Sequence, residues 1–282
     1  MQNNRRKKTP PAETLVSVLK YILLGLVVLA VLIPIYPIIM GSLKTVDNFR
    51  ASNAFSLPKV WMWKNYADAF IDGGMAIGFL NTLLVLAASL IIAILCGSMT
   101  AYVLSRFEFV GKKVVKAAFL LVSLIPSITT QVITYRIVNA LGLVDNLLAP
   151  ILMFGGTDIL AVYIFLQFLD SISVSLDESA RLDGANSYTV FFKILLPLLK
   201  PAIATVLIIK FVGVYNEFYI PFIYAPNVHL VSTALYSFTS SFGTRWEIIC
   251  AGQIIIILPM FVIFLAAQKF IYSGLAAGSV KG

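Results

Sequence analysis

Asp177–Pro197 reads DESARLDGANSYTVFFKILLP, a polar island in a chain that is otherwise mostly apolar. It sets Asp177, Glu178, Arg181, Asp183, Asn186 and Lys193 between long apolar runs on either side. Leu176, Ala180, Leu182, Ala185 and Val190 give no clean 3.6-residue stripe, and the charges cluster near the start. Acidic residues at 177 and 178 suit the positive end of a helix dipole. Gly184 has no side chain, so either another backbone approaches closely or the chain turns there. Pro197 is placed to open a following helix, where its missing amide hydrogen does little harm. On composition alone the island is equally an ordinary solvated loop. Its spacing is more specific: Glu178, Ala180, Gly184, Ile194, Leu196 and Pro197 follow E-x-A-x3-G-x9-I-x-L-P.

The flanking runs set the class. Of 282 residues, 60% are hydrophobic and 12% charged, and average soluble chains carry about twice that charged fraction. The net charge is +8, but the basic residues sit at the ends of apolar runs, which points to a membrane rather than to nucleic acid. Cys96 and Cys250 both lie in apolar runs and read as buried thiols, with neither disulfide framework nor metal spacing. Arg5-Arg6-Lys7-Lys8 precedes an apolar run from Val16 to Met40, too long for a signal-peptide core, so a retained first span is expected.

A bilayer core of about 30 Å asks for about 20 helical residues. Six stretches qualify: about 17–40, 78–104, 114–136, 146–169, 198–223 and 248–271. The expectation is an all-α membrane protein, with a tail at 1–14 and one membrane domain over 15–282. Prolines punctuate the spans at Pro34, Pro37, Pro126, Pro150, Pro221 and Pro259. The gap 41–77 carries Trp61, Trp63, Tyr66 and Phe70, as an interfacial amphipathic segment would, or a folded loop with its aromatics packed inward. With both termini cytoplasmic, fourteen of the 21 lysines and arginines fall inside, and six (Lys44, Arg50, Lys59, Lys64, Arg136, Arg245) fall outside. That bias favours this orientation, which puts Asp177–Pro197 in the cytoplasm.

The island's spacing resembles the "EAA" loop of permease subunits of ABC importers, with Ser179 standing where the family usually has its first Ala. Further stretches are similar to the carbohydrate-importer branch, the one that contains maltose-type transporters. They are Asn65-Tyr66, Asn81-Thr82, Ala101-Tyr102, Arg106-Phe107, Gly111-Lys112, Ile125-Pro126 and Gly142-Leu143. Tyr215-Asn216-Glu217-Phe218 resembles that branch's W-N-[DE]-F signature with Tyr215 replacing Trp, and residues 274–282 its G-L-x-x-G-A-V-K-G tail. The resemblance implies a type I ABC importer permease fold in a prokaryotic inner membrane. It implies a coupling loop at about 171–197 whose short helix lies in a cleft of a separate ATPase, with Glu178, Ser179, Ala180, Asp183, Gly184 and Ala185 at that contact. The implied partners are a homologous permease, two ATPase subunits holding ATP and Mg, and an extracytoplasmic solute-binding protein. The outer loop Ala225–Glu247, with Asn227, His229, Tyr236 and Phe238, is implied as the docking site of that protein; without the resemblance it reads as a re-entrant or packed loop.

No G-x-x-x-x-G-K-[ST] phosphate loop occurs, so ATP hydrolysis is expected elsewhere, and no cofactor on this chain. A single histidine, His229, leaves no pair for a metal, and no G-x-S-x-G elbow accompanies the serines. Catalytic and metal sites are expected to be absent. Asp158, Lys210 and Glu217 are ionisable residues at membrane depth, each expensive in hydrocarbon and so expected to face protein or water. Lys210 and Glu217, seven apart, fall on one face of a helix, about 10 Å apart along its axis. An ion pair between them, partners on a sister subunit and contact with substrate all stay open. Tyr215, Asn216, Glu217 and Tyr219 offer the amide, carboxylate and aromatic faces that a sugar binds, and with Lys210 and Asp158 they form the expected substrate path. The reading is a sugar or oligosaccharide importer's permease in contact with lipid and not with nucleic acid. The alternatives are a permease for another solute, and an ion-coupled carrier, which would show a repeated half; a membrane enzyme ranks third.

Overall fold

Apolar runs become helices, and prolines and turn residues decide where they stop. The computed structural model describes residues 11–279 apart from 157, 241 and 242, with the backbone alone at 11–15, 127, 240, 243, 267 and 269–279. Arg5–Lys8, Lys281 and the last three residues of the tail signature lie outside the described residues. Contacts divide the chain into two compact units. One holds the described residues up to Phe70 together with Phe238–Ile255, and the other holds Ile71–Ser237 and the residues from Ile256 on.

In the first unit, α1 (Pro11–Leu32) and α2 (Ile35–Ser42) are separated by a turn at Ile33–Pro34, because proline cannot continue the hydrogen-bond ladder. Together they make an apolar stretch, Val16–Ser42, whose most apolar window has none of its residues buried, as a lipid-facing helix requires. After it come α3 (Val46–Ala51), N-capped by Thr45, and α4 (Lys64–Asp72). Buried polar groups hold this segment: Asn65 Nδ2 donates to the carbonyls of Ser42 and Lys44 at 2.9 and 2.8 Å. Lys44 Nζ donates to Ser52 Oγ, the Asn53 carbonyl and Ser56 Oγ, and burial pulls its pKa below the ordinary lysine value. The segment is therefore a folded loop, yet Trp61, Trp63 and Phe70 stay exposed rather than packing inward.

The second unit is built on α5 (Met75–Arg106). Ser89, Ala93, Gly97 and Ala101 recur every fourth residue and are all buried. In lipid, where apolar burial drives little, such a stripe lets backbones approach closely. A side chain added at Gly97 would meet Ala161 and Phe165 at 3.4 and 3.5 Å. Those residues belong to α9 (Ile159–Asp170), which packs along this stripe. Next to it α8 (Leu148–Gly155) brings Gly155 against Ile92. Before them, α6 (Lys112–Ser123) and α7 (Ser127–Ala140) break at Pro126 and bend by 106°. The expected span 114–136, punctuated at Pro126, is thus two half-helices.

After α9 come α10 (Val174–Leu182), α11 (Ser187–Thr189), a π-helical stretch Val190–Leu195 and α12 (Leu196–Leu198). A 72° bend leads into α13 (Lys200–Asn216). Pro197 sits in the first turn of α12, so it does open a helix, though one of only three residues. The span expected to reach 223 ends at Asn216, and α14 (Tyr219–Tyr224) starts separately. α15 (Val231–Ala234) follows, then a 3-10 turn at Leu235–Phe238 and a strand pair, β1 (Thr239–Ser240) with β2 (Gly243–Thr244). The last helix, α16 (Trp246–Ser279), passes through Pro259 unbroken. Among the described residues, four helices are long and apolar enough to cross a membrane, and six spans result if each bent pair is one. Among the described residues the fold is all-α apart from this one strand pair.

Candidate functional site

The polar island folds as a capped helix between two turns. Ser173 caps α10 by accepting from the Ser175 amide. At the other end Ala185 N donates to the Ala180 carbonyl and Gly184 N to that of Arg181, both at 3.0 Å. This paired pattern, with Gly184 at φ +85°, is a Schellman turn. No atom lies within 4 Å of where a Gly184 side chain would begin, so the glycine is there for the turn and not for a close backbone. Ala180 and Ala185 pack against the core, while Glu178, Ser179, Asp183 and Gly184 are exposed. Leu182 and Tyr188, 89% and 71% exposed, add apolar surface to the same loop. Asn186 then caps α11 by accepting from the Thr189 amide at 2.8 Å.

The end of α5 holds this loop in place. Arg106 Nε lies 3.0 Å from Asp177 Oδ2, with each side chain 5% exposed, and Arg106 Nη2 donates to the Ile172 carbonyl at 2.8 Å. Asp177 does lie in the first turn of α10, as the dipole argument expects, but its carboxylate is turned inward to the arginine. Arg181 sits 5.9 Å from the ring centre of Phe107, and Tyr102 packs its ring on Phe191 at 5.3 Å. Met99, Tyr102, Val103, Phe107, Tyr188 and Phe191 line an open apolar cleft of about 260 Å³ beside the loop. Just beyond, exposed Glu108 takes a hydrogen bond from Lys112 that holds its carboxyl below the usual range. Sequence reasoning did not single out Arg106 with Asp177 as a pair. The one signal was that Arg106-Phe107 matched a family stretch.

The expected path residues separate. Lys210 Nζ pairs with Asp158 Oδ2 at 2.9 Å and donates to the Phe154 carbonyl at 2.7 Å. Asp158 also caps α9, accepting from the Leu160 and Ala161 amides. A Lys210–Glu217 pair on one helix does not form, because α13 stops at Asn216. Glu217 lies in extended backbone and its Oε1 caps α14 through the Tyr219 amide at 2.9 Å. Tyr215 is buried, donating to the Ile256 carbonyl at 2.7 Å. Asn216 donates to its own helix at Val212 and is exposed; Tyr219 is 60% exposed. Only these last two offer an open face.

In the loop Ala225–Glu247, Asn227 is tied to Asp145 through its backbone amide and its side chain, at 2.9 and 2.8 Å. His229 is exposed, and its carbonyl accepts from Asn81 Nδ2. Tyr236, 53% exposed, packs edge-on to Phe222 at 4.9 Å, and Phe238 is half-buried. The Val231 amide donates to Thr82 Oγ1, so α15 is packed onto α5. Among the described residues, no three His, Cys, Asp or Glu side chains group to hold a metal ion.

Comparison with known proteins matches residues 89–276 to the family described as binding-protein-dependent transport system inner membrane component. The chain is 32% identical to the melibiose/raffinose/stachyose import permease protein MelC of Bacillus subtilis (strain 168), over 93% of this chain and 95% of that one. It is 31% identical to the probable starch degradation products transport system permease protein AmyC of Thermoanaerobacterium thermosulfurigenes, over 94% and 98%. Its fold is similar to a chain in the crystal structure of a bacterial ABC transporter involved in the import of the acidic polysaccharide alginate. The TM-score is 0.77, with 20% identity, covering 94% of this chain and 99% of that one.

Proposed function

The chain belongs to the family of binding-protein-dependent transport system inner membrane components, and from that membership we propose that it forms part of the translocation path for a sugar or oligosaccharide in an ABC importer. It is a multi-pass membrane transport subunit, not an enzyme. The sugar assignment draws on the import substrates in the names of relatives such as MelC and AmyC, both at more than 30% identity over nearly the whole chain. In this reading a homologous permease completes the path, two ATPase subunits bind ATP and Mg, and an extracytoplasmic binding protein delivers the cargo to the outer loop at Asn227, His229, Tyr236 and Phe238. Both termini are cytoplasmic, and this chain holds no cofactor.

The observation that carries the coupling role is the two-sided character of α10. One side is fastened inward through Asp177, Ala180 and the Ala185 that follows it, while Glu178, Ser179, Leu182 and Asp183 are left open. A helix of nine residues is marginal alone in water, so its shape here depends on its end caps and on the packing of Ala180 and Ala185 against the core. The open side supplies a carboxylate pair and a bare leucine, a surface that a protein cleft can bury. ATP-driven closure of the ATPases would move this helix, and the spans would alternate their access. The test is co-purification: Leu182→Asp and Glu178→Lys should insert normally yet release the ATPase. Wild-type ATPase recovery with both would overturn the coupling assignment.

A further inference from the structure

We propose that Arg106 is a positioning residue that fastens the coupling loop to α5, so that movement of α10 is delivered along α5 rather than through the chain into α13. The proposal rests on the reading of α10 as the ATPase-docking helix.

Arg106 is the last residue of α5, and its guanidinium holds two points of the loop at once. Nε meets Asp177 in the first turn of α10, and Nη2 meets the carbonyl of Ile172, just before the Ser173 cap. Its neighbour Ser105 donates to Asp170 Oδ1 at the end of α9, at 3.1 Å. The planar fork of arginine fixes direction as well as distance, which an ammonium would not.

Stability alone is a poor account of this pair. Both side chains are almost wholly out of solvent, where desolvation offsets most of the attraction between charges. Asp177 Oδ1 is buried with no hydrogen-bond partner among the described residues, so the carboxylate is only half satisfied. A mechanical tie asks for direction and stiffness instead, and a grip at two separate points, Asp177 and the Ile172 carbonyl, supplies both.

The two routes out of α10 also differ in stiffness. Along the chain, the loop reaches α13 through a π-helical stretch and a 72° bend at Leu199. Through Arg106 it reaches one unbroken helix of 32 residues, about 48 Å long at 1.5 Å per residue. The far part of α5 places Val85, Leu86 and Leu90 in one cluster with Tyr215, Leu230 and Val231. A displacement at Asp177 is therefore carried to the residues beneath the outer loop by a rigid rod.

The experiment follows α5 itself and needs no knowledge of the sugar. In the complete importer, with Cys96 and Cys250 replaced, a cysteine at exposed Ile77 reports the outer end of α5 through its maleimide labelling rate. The unmutated latch should show a several-fold change in that rate between nucleotide-free and vanadate-trapped complexes. Arg106→Leu and Asp177→Asn should remove the change while the ATPase stays bound and active. The double variant Arg106→Met/Asp177→Leu, an apolar pair that can pack in the same space, should behave likewise. Persistence of the change in the intact variants overturns the proposal, as does its absence with the latch unmutated. If neither the single variants nor the double assemble, the pair serves folding and the proposal fails. Failure of the unmutated chain to retain the ATPase would instead count against the docking role of α10.

Discussion

Lys210 and Asp158 form an ion pair, Nζ to Oδ2 at 2.9 Å, that joins the middle of α13 to the start of α9. The ammonium also reaches the Phe154 carbonyl near the end of α8, so one lysine ties three helices of the same unit. Asp158 meanwhile accepts the first free amides of α9, which suits a carboxylate at the positive end of a helix dipole. Two charges at membrane depth thus neutralise each other and satisfy backbone groups that lipid cannot.

Removing one partner should therefore harm more than removing both. Lys210→Met is expected to destabilise by about 2 kcal/mol, less than the 3–5 kcal/mol of a fully buried pair, since the side chains keep 14% and 24% exposure. Lys210→Met/Asp158→Asn should recover a large part of the loss. Thermal unfolding of the purified protein in detergent reads this, and a double variant no more stable than the single would show the two residues to be independent.

Gly184 separates turn geometry from docking. At φ +85°, with open space around it, Gly184→Ala should incur only the left-handed strain, a cost of about 1 kcal/mol, and Gly184→Asn less. Both variants are expected to keep the ATPase. Gly184→Trp adds bulk where a partner would sit, and should insert normally but lose substrate-stimulated ATPase activity in the reconstituted importer. Full activity with Trp would place the docking surface elsewhere.

The Tyr215-Asn216-Glu217-Phe218 signature divides into packing and open residues. Glu217→Ala loses the cap on α14 and should cost about 1 kcal/mol, with Glu217→Gln closer to wild type. Tyr215→Ala should lower the melting temperature, because its ring is buried and its hydroxyl bonds to Ile256. Tyr219→Ala, by contrast, should raise the transport KM several-fold with assembly intact. An unchanged KM there would remove Tyr219 from the path.

Orientation is checked by single cysteines on a background without Cys96 and Cys250. Val110 and Tyr188, both strongly exposed, should resist impermeant maleimide in intact cells and react after lysis. Position 229 should react from outside. Labelling of position 188 in intact cells would reverse the topology and take α10 away from the cytoplasm.

What the sequence determined by itself is what local chemistry controls. A membrane helix must satisfy its own amides, so a long apolar run is enough to mark a span wherever it folds. The turn at Gly184 is equally local, because a positive φ is a property of one residue and its absent side chain. The tertiary structure decided the partners of the buried charges and the ends of the helices. Arg106 and Asp177 lie 71 residues apart, and no spacing rule links an arginine at one helix end to an aspartate in a distant loop. The expected register of Lys210 and Glu217 failed because a periodicity argument holds only while the helix continues, and α13 stops one residue short of Glu217. The breaks at Pro126 and Leu199 follow the same logic. Proline makes a break possible, but neighbouring helices determine whether the chain bends there or, as at Pro259, runs on, since their groups must donate to the freed carbonyls.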